Sequence, residues 1–152
     1  MASKILWAAE SVYEVLSTEL NDMADNALVV DASAYDNASN KFTHAAFFLF
    51  CDDFDAAPDA GGFFELHIFY RLDGVHYADG EEGDGATPVA TGNSLHGIFH
   101  IAATDADQYQ QIPDVPLLPF MFKAALVNMC GQDLTADDTH WLKLYPYNKE
   151  SQ

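Results

Sequence analysis

Along residues 64–72 apolar and polar positions alternate: Phe64, Leu66, Ile68, Tyr70 and Leu72 fall on one side, Glu65, His67, Phe69 and Arg71 on the other. A period of two sustained this long predicts a strand. Residues 95–102 alternate as well, with Phe99 and Ile101 facing one way and His96, Ile98 and His100 the other. Residues 140–147 set Leu142 and Leu144 against Trp141, Lys143, Tyr145 and Tyr147, and residues 120–129 align Phe120, Phe122, Ala124 and Leu126. Residues 42–51 have a different texture. Their centre, Ala45-Ala46-Phe47-Phe48-Leu49-Phe50, is continuously apolar, which predicts a central strand buried on both faces or facing a subunit contact on one.

Shorter strands are predicted at 12–16, 18–20, 27–32 and 108–112. A helix over 3–16 competes with the first, because Leu6, Ala9, Tyr13 and Leu16 share a 3.6-residue spacing. Three prolines punctuate Ile112-Pro113-Asp114-Val115-Pro116-Leu117-Leu118-Pro119. Proline has no N–H for a ladder, so this segment is expected to be extended and to lie at an edge or corner. Asn, Asp, Gly and Pro clusters at 36–40, 52–62 and 73–93 read as loops. About eight strands with few helical stretches predict an all-β, jelly-roll-like sandwich of two antiparallel sheets. The whole span 1–152 is expected to be one domain, with an N-terminal arm at 1–20.

Charge adds a constraint on partners. Against 24 Asp and Glu stand 6 Lys and Arg, a formal net of -18. Phosphate backbones repel such a chain, so nucleic acid is not an expected partner. The short apolar patch near the N-terminus is broken by Glu10 and Glu14, and neither a signal segment nor a membrane span is expected from it. Cys51 and Cys130 have no zinc-type spacing and sit in apolar runs, so two buried free thiols are expected.

Candidate chemistry is sparse. The acidic loop offers Asp73, Asp79, Glu81 and Asp84 among glycines as oxygen ligands for calcium, but without the spacing of an EF-hand. Asp52, Asp53 and Asp55 form a lesser cluster. His67, His96 and His100 do not make a zinc site, because two residues four apart in a strand stand about 13 Å apart; they are expected as outward-facing polar positions. Gly92-Asn93-Ser94-Leu95-His96-Gly97 approaches a nucleophile elbow but has His96 where the second glycine belongs. No catalytic residue and no cofactor are expected. Trp141, Tyr145 and Tyr147 share a face of the last strand, where they suit either sugar stacking or a subunit contact.

From Glu65 onward the chain resembles small virion-associated proteins of tailed bacteriophages. The resemblance is carried by Glu65-Leu66-His67-Ile68-Phe69-Tyr70-Arg71-Leu72-Asp73-Gly74-Val75-His76-Tyr77-Ala78-Asp79-Gly80, by Gly97-Ile98-Phe99, Ile112-Pro113, Pro116-Leu117-Leu118-Pro119, Phe122-Lys123, Asn128 and Gly131, and by residues 142–147. It implies a non-enzymatic capsid decoration or cement protein on the virion exterior, assembled in the host cytoplasm. The major capsid protein would then be its partner, and a homotrimer its favoured state. On that expectation Phe47, Phe50, Tyr77, Trp141, Tyr145 and Tyr147 are the interface residues. The alternative is a carbohydrate-binding or host-recognition sandwich module.

Overall fold

The computed structural model describes residues 12–78, 90–136 and 139–149. Nine strands run through them: β1 (Tyr13–Leu16), β2 (Leu28–Val30), β3 (Tyr35–Asp36), β4 (His44–Cys51), β5 (Phe63–Arg71), β6 (Leu95–His100), β7 (Gln108–Pro116), β8 (Met121–Met129) and β9 (Trp141–Tyr147). The first sheet has the order β1-β9-β4-β7; the second has β2-β8-β5-β6, with β3 also pairing β8. Every pairing is antiparallel. The expected two-sheet sandwich is therefore what these residues form.

The long apolar run resolves into alternation once its partners are in place. In β4, Ala45, Phe47, Leu49 and Cys51 face the interior, where they meet Phe64, Leu66, Phe99, Phe122 and Leu126 of the second sheet across a single core. Leu142 and Leu144 of β9 join them, both wholly enclosed. Each such Phe or Leu contributes about 1.5–3 kcal/mol by leaving water. Phe48 and Phe50 alternate onto the opposite face of β4.

Three local expectations change. Residues 18–20 form a 3-10 turn, not a strand: Leu20 N–H donates to Ser17 O, Ser17 N–H donates to the Glu19 carboxylate, and Leu20 is buried. The strand expected at 27–32 is confined to β2, because Asp31 Oδ1 accepts the Ser33 N–H and turns the chain. The stretch read as a loop at 36–40 holds the end of β3 and a one-turn helix, α1 (Asn37–Asn40), capped by Asp36 through the Ser39 N–H. Asn37 at its start is fully buried, donating to Phe42 O and Leu118 O and accepting from Phe42 N–H. The alternatives at 3–16 lie largely outside the described residues; within them, Tyr13–Leu16 is the edge strand β1.

The proline segment behaves as its composition requires. Pro113 and Pro116 lie within β7, the edge strand of the first sheet, where a missing N–H costs nothing on the unpaired side. A register shift against β4 falls between Ala45 and Phe47, opposite Asp114, whose φ of 66° marks a bulge.

Candidate functional site

The outward face of the first sheet gathers aromatic side chains in rows set by strand register. Phe50 on β4 pairs Tyr109 of β7 on one side and Trp141 of β9 on the other. Tyr109 stacks on Phe50, with centroids 4.4 Å apart and planes 26° apart, and Phe50 lies 5.5 Å from Trp141. Tyr109 is 69% exposed while Phe50 is 7% exposed, so the outer ring shields the inner one. In the next row Phe48 stands between Gln111 and Lys143. Its ring makes an edge contact with Tyr145, at 4.8 Å. A shallow cleft of about 320 Å³ opens beside this row, lined by Phe48, Tyr109, Gln110 and Gln111.

Electrostatics on this face are nearly balanced. The Lys143 ammonium sits 4.1 Å from the Trp141 ring centre and 3.8 Å from the Glu14 carboxylate. At the far end Tyr147 stacks on His44, and its hydroxyl donates to Asp114 at 2.6 Å. Lys149 also bonds Asp114. Burial and the Asp114 carboxylate together push the Tyr147 phenol well above the usual range, so that it remains a donor. The face thus offers stacked rings, the Gln111 amide and a cation already engaged by its neighbours.

Residues named from the sequence separate into different regions. Phe50, Trp141, Tyr145 and Tyr147 do lie on this outer face. Phe47 does not: it is 0% exposed in the core, because alternation in β4 turns it toward the second sheet. Tyr77 is also enclosed, on the outer side of the second sheet against Phe69 and Ala125. Arg71 and Lys123 approach its ring at 5.8 and 5.2 Å. Phe48, Tyr109, Gln110 and Gln111 were not singled out from sequence. The alternation that would have exposed Phe48 is hidden in a continuous apolar run, and Tyr109 acquires its meaning only from pairing with Phe50.

The remaining candidates are dispersed. Asp73 folds onto its own turn, accepting from the backbone N–H groups of Val75 and His76, with the His76 ring 2.7 Å away. These contacts hold its carboxyl below the usual carboxylate range. Asp79, Glu81 and Asp84 lie outside the described residues. Asp52 accepts from Thr139 N–H and Asp53 from Phe54 N–H, so this cluster serves loop structure. Among the described residues no group of three or more His, Cys, Asp or Glu side chains could hold a metal ion. Both cysteines are free and buried, and burial raises both thiols, Cys130 to about 12.

Two of the three histidines, His67 and His96, correct the expectation of outward-facing positions. His67 is 2% exposed, with Nδ1 2.9 Å from Ser94 Oγ and Nε2 3.1 Å from Glu65 Oε2. A register shift between β5 and β6 bulges His96, whose ring makes an edge contact with the inward-facing Tyr70. His100 remains exposed. The Ser94–His67–Glu65 chain has the order of a hydrolase triad but not its access. Ser94 is 1% exposed, and its hydroxyl both donates to Thr91 O and accepts the Thr91 N–H. It pins the 91–94 turn, and a substrate has no approach to it.

No protein-family model matches the chain, and no curated protein matches it. Among solved structures it is similar to the CBM36-1 domain of a multidomain xylanase from the hindgut metagenome of Trinervitermes trinervoides. That similarity has 15% identity and a TM-score of 0.42, over 96% of this chain and 94% of that one. It is also similar to the carbohydrate-binding module CBM36 in complex with calcium and xylotriose, at 13% identity and a TM-score of 0.37 over the full length of both. Both neighbours are carbohydrate-binding modules and neither is a phage protein; the capsid-decoration reading of the sequence has no counterpart among them. The packing corrects that reading, because residues expected at its interface are enclosed by the chain itself. Phe47 and Tyr77 are covered by the chain itself, and Phe50 is shielded by Tyr109 and Trp141. At such low identity and TM-score the likeness says nothing about a ligand for this chain.

Proposed function

We propose that this protein is a non-catalytic carbohydrate-binding module whose ligand lies on the outer face of the β1-β9-β4-β7 sheet. One observation carries the reading: the register-aligned row Tyr109, Phe50, Trp141, with the Gln111 amide in the next row beside it. A sugar ring presents an apolar C–H face and a hydroxyl edge. The first loses water against an aromatic ring, and the second needs planar donors and acceptors placed next to that ring. An aromatic row with an adjacent amide supplies both. A rigid sheet holds them without a large ordering cost on binding.

Residues have distinct parts in this reading. Tyr109 is the exposed stacking surface, and Phe50 fixes its tilt from beneath. Trp141 extends the platform across β9, held by Lys143. Gln111 addresses the hydroxyl groups. The test is a glycan array followed by affinity electrophoresis on the polysaccharides that score. Trp141→Ala and Tyr109→Ala are each expected to weaken retention about tenfold or more, the loss of one stacking contact of about 1–2 kcal/mol. Circular dichroism should be unchanged for Tyr109→Ala, given its exposure. Failure to bind any glycan, or retention unaffected by both variants, would overturn the reading.

A further inference from the structure

A second cavity, of about 400 Å³, opens at the sandwich edge where β1 of one sheet approaches β3 of the other. Its lining, which includes Tyr13, Tyr35, Asp36, Asn40, Phe42 and Pro146, shares no residue with the aromatic row and its adjacent amide. The rings of Tyr13 and Tyr35 have centroids 5.2 Å apart and planes 66° apart, so they form a corner and not a stack. The Asn40 amide reaches the Tyr35 hydroxyl at 3.5 Å, and Tyr35 is backed by Phe122 at 5.3 Å. The corner is therefore fixed from behind by the core.

The described lining of this cavity carries charge of one sign. Asp36 is the charged residue among the described lining, and no Lys or Arg is among them. Its contacts with Ser39, made in capping α1, hold its carboxyl below the usual range, so it is ionised at neutral pH. Asp31 adds negative potential near Tyr13. Arg71 is the cation whose field reaches Asp36, and Lys123 the one that reaches Asp31, each from outside the lining. An anion would meet repulsion here, and from a chain of net charge -18. A neutral apolar ligand would gain burial alone. A cation with apolar substituents gains three things together: attraction to the carboxylate, attraction to the electron-rich rings and burial of its carbon surface.

We infer that this edge cavity binds a small organic cation of the alkylammonium class, its charge facing Asp36 and its methyl or methylene groups against Tyr13 and Tyr35. The site is independent of the glycan face and stands whether or not that face binds sugar.

The experiment is a titration of the isotope-labelled full chain followed by amide chemical shifts, with three probes: choline, its uncharged isostere 3,3-dimethylbutan-1-ol, and glucose. Choline is expected to move the signals of Tyr13, Tyr35, Asp36 and Asn40 and to bind at least about tenfold more tightly than the isostere. Asp36→Asn removes the charge while keeping a side chain that caps helices equally well, and is expected to reduce choline affinity about tenfold. Tyr35→Phe keeps the ring and is expected to bind as the parent does. Equal binding of choline and its isostere overturns the inference. So does full affinity in Asp36→Asn, or an absence of shifts at millimolar choline. Glucose moving the same signals assigns the cavity to a saccharide and overturns it too.

Discussion

Asp31 is 5% exposed, and burial with the nearby Glu19 charge pushes its carboxyl up to about 6, against the opposing pull of the Ser33 N–H and Lys123. In the unfolded chain the same group titrates near its ordinary value of 3.8. Between about pH 4 and pH 6 the unfolded state has therefore lost a proton that the native state retains. Asp31 makes the native state progressively less stable as pH rises through that window, with the full penalty present above it. Asp31→Asn preserves an acceptor for the Ser33 N–H and removes the penalty. The variant should be more stable than the parent at pH 7, and the difference should vanish by about pH 4, as read from denaturant midpoints across that range. A difference independent of pH would show that ionisation is not its source. Asn37 is the contrasting buried polar group, satisfied by three hydrogen bonds and uncharged. Neither residue is distinguishable in the sequence from the many exposed Asp and Asn around it. Their burial depends on where Ala124, Phe42 and Leu118 come to lie.

Among the elements, β5, β8 and β9 follow directly from period-two alternation, and β7 from the restriction of proline to sheet edges. The bulges do not. Asp114 in β7 and His96 in β6 each shift the alternation, and nothing in composition marks either position. The closure of the sandwich along β6 and β7 is equally a property of the pair. At Gly97 a Cβ would stand 2.7 Å from Ile112 Cδ1, so glycine lets the edge strand of one sheet approach that of the other. Gly97→Val should cost about 1–3 kcal/mol through overpacking. Adding Ile112→Ala should recover part of it in a double-mutant cycle. Strictly additive losses in chemical denaturation would show that the two residues do not share the space.

At the scale of the whole molecule, 24 acids and 6 bases cannot be arranged without net repulsion. The described ion pairs are few, and those of Lys143 and Lys149 engage one carboxylate each. Screening should therefore stabilise the fold: raising salt from about 0.01 M to about 1 M shortens the Debye length from about 30 Å to about 3 Å. The thermal midpoint should rise over that range at pH 7. A flat or falling midpoint would mean that attractive pairs offset the excess charge.

Sequence by itself determined the class of fold. Alternation, turn residues and proline placement act over a few neighbouring positions, and they specify strands, an edge and a pair of sheets wherever those strands pack. It also supplied three of the aromatic residues of the outer face through β9 alone, where the alternation is undisturbed. Only the tertiary structure decided that Phe47 faces inward while Phe48 and Phe50 face outward, that Tyr109 stacks on Phe50, and that Tyr77 is covered. In β4 both faces are apolar, so the pattern carries no direction. The direction comes from which strand lies alongside, a relation between residues as far apart as Phe50, Tyr109 and Trp141 that no local property of the chain encodes.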